Sequence, residues 1–479
     1  MLFNSWQFAF FFPIVAVLFL FGPPRIRLPL LFLASCTFYM AFAPAYIVLV
    51  FITIVVDYYA ALGIERCKGR DRKTYLALGI IVPLLFLGFF KYWQFLFDNY
   101  VTLTSWIGWD SPDFFLKVLL PIGISFYTFQ TLSYLIEVYH GRQKAERNLL
   151  VFSTFILFFP QLVAGPIERP QHLLPQFRKP RGFDYERTAS GLRRMALGFF
   201  KKLVVADHLA LYVNDVYAAP EQYNGLQLTL ATVFFAYQIY CDFSGYSDIA
   251  VGAARIMGFD LMQNFRAPYH SASVGEFWQR WHISLSTWFR DYVYIPLGGN
   301  RNGLYRWIVA ILVTFGVSGL WHGASWTFVM WGLLNGAYLL VGTATKKIRD
   351  RLWKAFGLEK TPIIRRGMGI AITFLLTLAA WTFFRASTIQ DALYILSHFY
   401  QDWDFSKVST SNFLLRQLPF AIGGILAIEL IHVVQYRHGW GQFVKPLPTL
   451  LRWTAYIAFV LSTILFGVFR DSQFIYFQF

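Results

Sequence analysis

Hydrophobic positions in this chain come in long blocks, separated by short polar, basic or proline-marked breaks. Residues 3–20, 28–43, 45–63, 74–97 and 116–138 form a first series of such blocks. A second series occupies 203–222, 228–250, 307–320, 326–342, 366–386, 414–434 and 450–469. A helix of roughly 20 apolar residues crosses a bilayer, and only helices or closed barrels satisfy their backbone there. The pattern predicts an all-α polytopic membrane protein with about 11–13 membrane helices. The run 149–164 is short and has basic stretches on both sides, so it is expected to be re-entrant or interfacial, ended by Gly165-Pro166. Residues 255–306 are basic, proline-interrupted and too polar to span.

Composition agrees with this class. Of 479 residues, 57% are hydrophobic, 20% aromatic and only 14% charged. That leaves too little polar surface to clothe a soluble core. The net charge of +16 could suggest nucleic acid, but excess Lys and Arg is the mark of cytoplasmic loops in a membrane protein. Lipids rather than nucleic acid are the expected surroundings. The loop 65–73 carries five basic residues and is expected to be cytoplasmic, as is 165–202, whereas 98–113 has no Lys or Arg and should face outward. Counting spans from these anchors puts both termini outside the cytoplasm. Residues 3–20 lack a basic leader and read as a retained first span. Cys36, Cys67 and Cys241 are far apart and predict neither a disulfide framework nor a metal site.

Candidate chemistry lies between and beside these blocks. His322 sits in Gly319-Leu320-Trp321-His322-Gly323, at the expected tip of a hairpin. An ionisable side chain at membrane depth is costly and marks a functional candidate. A 14-residue helix rises only ~21 Å against a ~30 Å hydrocarbon core, so the tip is expected to be recessed. An imidazole with a pKa near ~6.5 can take a proton from a hydroxyl; it could equally hydrogen-bond a neighbouring helix. His282 follows Ser273-x-x-Glu276, which has the form of a capping box starting a helix near Val274. Phe277, Trp281, Leu285 and Trp288 predict an aromatic face, and Gln279, His282 and Ser286 a more polar row, with Pro296 and Gly298-Gly299 as the stop. His282 could act there chemically or merely cap an interfacial helix.

Two further stretches carry polar groups. Tyr240-Cys241-Asp242-Phe243-Ser244-Gly245-Tyr246-Ser247-Asp248 places two acids in or beside a span, where they need partners. Asp242 or Asp248 is expected to pair with Arg266 or Arg280; nothing resembles a triad around Ser244. In Gln161-Leu162-Val163-Ala164-Gly165-Pro166-Ile167-Glu168-Arg169, Glu168 and Arg169 are expected to form an ion pair. The chain ends in Phe474-Ile475-Tyr476-Phe477-Gln478-Phe479. An exposed aromatic tail is adhesive, so it should dock on the protein or anchor in the interface.

The WHG context of His322, the region around His282, YCDFSGYSDIA and the FxYFxF terminus together resemble the membrane-bound O-acyltransferase (MBOAT) family, in its bacterial branch that acetylates exported polysaccharides such as alginate. The resemblance covers nearly the whole chain. It implies one domain over 1–479, with core motifs in 120–345 and an extracytoplasmic tail at 470–479, in which spanning, re-entrant and interfacial helices surround a central tunnel. It implies catalytic roles for His322, His282 and Tyr476. Trp321, Trp278, Trp281, Arg280, Asp242, Ser244, Tyr246, Asp248 and Asn335 are the candidates for lining the tunnel or holding the donor. No permanent cofactor or metal is implied; acetyl-CoA is the implied donor substrate. Acetyl would pass from the cytoplasm of a bacterial inner membrane, through Tyr476, to a periplasmic SGNH-type acetyltransferase and then to the polysaccharide. Tyr476 lies seven residues past the last expected span, and extended chain would carry it ~23 Å back toward His322. Two other readings stay open on the residues alone: a polysaccharide or lipid transporter without covalent chemistry, and a lipid acyltransferase of the same fold.

Overall fold

A computed structural model describes residues 1–109, 119–179, 181–357, 360–404, 412–437, 446, 448–469 and 474–475. Among them the regular structure is helical, with no strand. Among the described residues six helices are long and apolar enough to cross a membrane: Pro44–Arg66, Gly69–Trp106, Leu304–His322, Trp326–Ala344, Pro362–Arg385 and Thr449–Phe466. Trp6–Phe21 and Leu418–Val434 are shorter apolar helices. The chain forms two compact units, Met1–Met195 with Ile249–Met262, and Ala196–Asp248 with Gln263–Phe479.

In the first unit, the block expected at 74–97 is longer than the hydrophobic pattern suggests. Helix Gly69–Leu87 continues through a π turn, Gly88–Tyr92, into Trp93–Trp106. The expected re-entrant segment is a broken pair, Leu149–Leu157 and Phe159–Leu162. Asn148 starts it by accepting the Leu150 and Val151 N–H groups. Nine residues rise only ~14 Å, too little to cross. Residues 151–168 are buried. The carbonyl of Phe155, near the break, accepts both the Gln130 amide (2.7 Å) and the Gln161 amide (2.9 Å). Irregular backbone at this depth is stable only when its polar groups are satisfied inside protein. Glu168, fully buried, joins His172 Nδ1 at 2.7 Å and accepts the Met262 N–H.

The expected boundary between a basic loop and a span at 202/203 is absent. Helix Tyr185–Phe199 runs through a π segment, Phe200–Ala206, into Asp207–Ala218 without interruption. Lys201 and Lys202, read from charge as loop residues, are buried within this rod. A second long helix, Gly225–Ile256, carries Asp242 and Asp248. The hairpin Leu304–His322 and Trp326–Ala344 closes on glycines. A Cβ on Gly319 would lie 2.2 Å from the Phe328 carbonyl oxygen, and one on Gly332 would lie 2.1 Å from that of Phe315. Only hydrogen fits at these two crossings, which lets the backbones approach as small residues do between membrane helices.

Candidate active site

His322 is the last residue of its helix, and Gly323 ends it in extended conformation. The helix has 19 residues rather than 14, a rise of ~28 Å, so helix length does not recess the imidazole. Packing does. The ring lies edge-on to Trp321 and Trp331, both at 4.9 Å between centroids, and to Phe384 at 5.5 Å, and the residue is only 3% exposed. Trp331 in turn stacks on Trp381 at 5.7 Å and meets Trp278 at the same distance. Asn335, one turn beyond Trp331, is buried and donates to its carbonyl at 2.8 Å.

His282 stands elsewhere than the helical periodicity predicts. Ser273 does cap Val274–Arg280 by accepting the Glu276 N–H, but Glu276 reaches back to the Ala272 N–H instead of that of Ser273. The helix then stops. Trp281 is extended, His282 takes φ +42° and ψ +54°, and a new helix, Ile283–Phe289, begins. Left-handed backbone is unusual for a residue other than glycine, though His, Asn and Asp tolerate it best. Asn264 holds the break: its carbonyl accepts the Ile283 N–H (2.9 Å), and its side-chain oxygen accepts the Ser284 hydroxyl (2.7 Å). Its amide reaches Ser247 at 3.3 Å. The kink turns a residue from the expected polar row into the interior, where His282 is fully buried. Its ring lies 4.6 Å from Phe243 and 6.3 Å from Trp321. Trp321 thus contacts both histidine rings. Trp281, also fully buried, packs on Phe277 (5.6 Å) and Trp381 (5.0 Å).

The carboxylates find lysines, not the expected arginines. Lys202 lies 2.6 Å from Asp242 and 2.9 Å from Asp207, and Lys201 lies 2.7 Å from Asp248. Arg280 pairs with Glu276 at 2.7 Å and donates to the Arg266 carbonyl. Placing charges in pairs answers the cost of burying them. Ser244 is buried on the same helix. Asp242 has a further partner: its second oxygen accepts the backbone N–H of Ile475 at 2.7 Å. Phe474 packs against Phe243 (5.6 Å) and Tyr246 (5.0 Å), and both Phe474 and Ile475 are buried. The start of the terminal motif is therefore docked, and Phe243 touches both it and His282. Tyr476 lies outside the described residues.

Most candidates thus converge: His322, Trp321, Trp278 and Asn335 gather around Trp331 on one side of the cluster, His282 and Tyr246 around Phe243 and Phe474 on the other. Arg280 does not join them; its guanidinium is held at Glu276. The sequence reading missed Lys201, Lys202, Asn264, Trp331, Trp381 and Phe384. The adjacent lysines within a helical stretch were the one visible signal among these.

Helices fit to cross a bilayer, two histidines buried among aromatic rings and a carboxylate that holds Ile475 define the class as a polytopic membrane protein. The chain belongs to the MBOAT, membrane-bound O-acyltransferase, family, which it matches over residues 37–381. It is 36% identical over 441 residues to a probable alginate O-acetylase of Azotobacter vinelandii, covering 91% of this chain and 86% of the relative. It is 34% identical to one from Pseudomonas putida across the full length of both. A peptidoglycan O-acetyltransferase of Helicobacter pylori is 34% identical over 76% of this chain and 72% of its own. The chain is a multi-pass membrane O-acetyltransferase.

Proposed function

We propose that this enzyme takes acetyl from acetyl-CoA on the cytoplasmic face and delivers it across a bacterial inner membrane toward hydroxyls of an exported polysaccharide, alginate being the first candidate. Relatives named for alginate and for peptidoglycan acetylation motivate the acceptor class. The observation that carries the reading is the continuity from the tail to His322: Phe474, Phe243, His282, Trp321 and His322 form an unbroken series of ring contacts.

In this reading the terminal Tyr476 is the first acceptor. A phenol is almost wholly protonated near neutral pH, with a pKa of ~10, and needs a base to attack a thioester. His322 takes the phenolic proton as the oxygen adds to the acetyl carbonyl. The carbon–sulfur bond breaks, and CoA leaves with the proton returned to its sulfur. The acetyl-tyrosine ester then passes its acyl group to a periplasmic SGNH-type acetyltransferase. His282 orients donor or acceptor across Trp321. The aromatic walls keep water from the thioester and ester, which would otherwise hydrolyse. Both termini lie on the outer side.

Purified enzyme incubated with radiolabelled acetyl-CoA should release CoA and retain or transfer label. His322→Ala should abolish this while leaving the melting temperature near that of the parent. Wild-type CoA release from a well-folded His322→Ala protein would remove His322 from the reaction. Absence of CoA release by the wild-type enzyme, with or without a periplasmic partner, would remove acetyl-CoA as donor.

A further inference from the structure

Apart from the histidines of the candidate site, the second unit gathers three metal-competent side chains from distant parts of the chain. His270 ends the short turn Pro268–His270, and Glu429 and His432 lie one turn apart on helix Asn412–Arg437. One ligand atom from each lies within 4.8 Å of the others. His270 Nε2 is 2.5 Å from Glu429 Oε2, and His432 Nδ1 is 3.8 Å from Glu429 Oε1.

Several features separate this cluster from an ordinary polar contact. His432 is only 3% exposed, and its buried Nδ1 faces Glu429 Oε1 at 3.8 Å, longer than an ordinary hydrogen bond. A buried ring nitrogen held only by so long a contact is under-satisfied and calls for an explanation. Its other nitrogen, Nε2, is held by the Tyr240 hydroxyl at 2.7 Å. The Tyr237 hydroxyl donates to Glu429 Oε1 at 3.0 Å. Metal-binding histidines characteristically have one nitrogen fixed by an outer partner so that the other points at the ion, and ligating carboxylates are themselves hydrogen-bonded. His270 and Glu429 are partly exposed, which supplies an entry path and room for a water ligand. Lys201, whose charge lies 5.6 Å from the Tyr240 ring, is neutralised by Asp248.

We propose that His270, Glu429 and His432 bind a divalent transition metal, with Zn²⁺ the best match. Two imidazoles and one carboxylate are a known zinc ligand set that leaves a fourth position for water. Bonds of roughly 2.0–2.2 Å in a tetrahedron separate ligand atoms by roughly 3.3–3.6 Å, a spacing reached here by opening the His270–Glu429 contact and drawing in the wider separations, which extend to 4.8 Å. Imidazole ligands argue against Mg²⁺ and Ca²⁺, which favour all-oxygen sites. The ion would tie the Pro268–His270 turn, twelve residues before His282, to helix Asn412–Arg437. Neither spacing nor cysteine content announces this site, because 159 residues separate His270 from Glu429.

The test uses the full-length enzyme in detergent, stripped with a chelator and then titrated separately with Zn²⁺ and Co²⁺. One Zn²⁺ per chain should survive gel filtration, and Co²⁺ should give the intense visible bands of a four-coordinate ion with nitrogen ligands. Glu429→Gln and His432→Ala should weaken Zn²⁺ binding at least tenfold, and Tyr240→Phe by about 10–100-fold as loss of an outer partner does. Failure of monodisperse wild-type enzyme to retain stoichiometric Zn²⁺ would overturn the proposal. So would binding that is unchanged in either ligand variant, which would show adventitious surface sites. Should a variant misfold, the wild-type stoichiometry and cobalt spectrum still decide the matter.

Discussion

Asp242 accepts the backbone N–H of Ile475 at 2.7 Å while Lys202 holds its other oxygen at 2.6 Å. A residue in the middle of a long helix thus anchors Ile475, 233 positions away, through a backbone N–H that any residue but proline would supply there. Hydrogen bonds to a charged group contribute about 1.5–3 kcal/mol, which is roughly ten- to a hundredfold in the docked population. Asp242→Asn should therefore release the tail in part. Limited proteolysis should cut the C-terminus of the variant faster, and acetyl transfer should fall with it. Tail protection equal to that of the parent would show that the aromatic contacts of Phe474 suffice.

Lys201, buried, and Asp248, largely buried, form a second pair at 2.7 Å. Removing one partner leaves a buried charge, at a cost of about 3–5 kcal/mol, whereas replacing both by apolar groups is often neutral. Lys201→Met should lower the thermal midpoint strongly. The double change Lys201→Met with Asp248→Leu should recover much of it. A double variant no more stable than Lys201→Met would mean that Asp248 is needed for some further contact.

The left-handed backbone at His282 separates its turn role from its ring chemistry. Asn adopts φ > 0 more readily than Ala. His282→Asn should fold with nearly parental stability, while His282→Ala should lose about 1 kcal/mol or more. If the imidazole matters for the reaction beyond its shape and hydrogen-bonding, both should lose activity alike. Parental turnover by His282→Asn would leave His282 as a shaped, hydrogen-bonding turn residue only.

Outside the spans, Asp260 lies among Arg187 (2.9 Å), Arg181 (3.3 Å) and Arg255 (3.5 Å). Partial burial pushes its carboxyl upward, but the hydrogen bond and charge of Arg187, with Arg255 and Arg181, outweigh this and hold it below the ordinary carboxylate value. A carboxyl with a depressed folded pKa adds stability above its unfolded value of ~3.9 and loses it as pH falls through the lower folded one. The enzyme should lose part of its thermal stability below about pH 4, and Asp260→Asn should flatten that part of the profile. An unchanged acid slope in Asp260→Asn would assign it to other carboxylates.

Hydrophobic blocks and the charge between them made the helical class legible, and His322 and the terminal motif stood out because polar or aromatic residues were conspicuous there. What stayed hidden depended on partners remote in the chain. Lys201 and Lys202 look like loop charge until Asp248 and Asp242, much further along the chain, are seen opposite them. The spacing of Phe277, Trp281, Leu285 and Trp288 fits one continuous helix, and only the bonds from Asn264 show why it breaks at His282. Glu429 and His432 read as isolated polar residues on an apolar helix until His270 is placed beside them.

Phe474 and Ile475 are buried against Tyr246, Phe243 and Asp242, and Tyr476 is the next residue along the chain. Tyr476→Phe keeps the ring and removes only the nucleophilic oxygen. An anchoring tail would tolerate this with little change. A covalent carrier would not: with the attacking oxygen gone no acyl-tyrosine can form, and CoA release should fall to background while acetyl-CoA binding persists. Brief exposure of the wild-type enzyme to acetyl-CoA should place one acetyl group on the C-terminal peptide by mass spectrometry. That adduct should be missing from both Tyr476→Phe and His322→Ala. Complete polysaccharide acetylation by Tyr476→Phe would reduce the tail to an anchor and send the acetyl group directly from donor to partner.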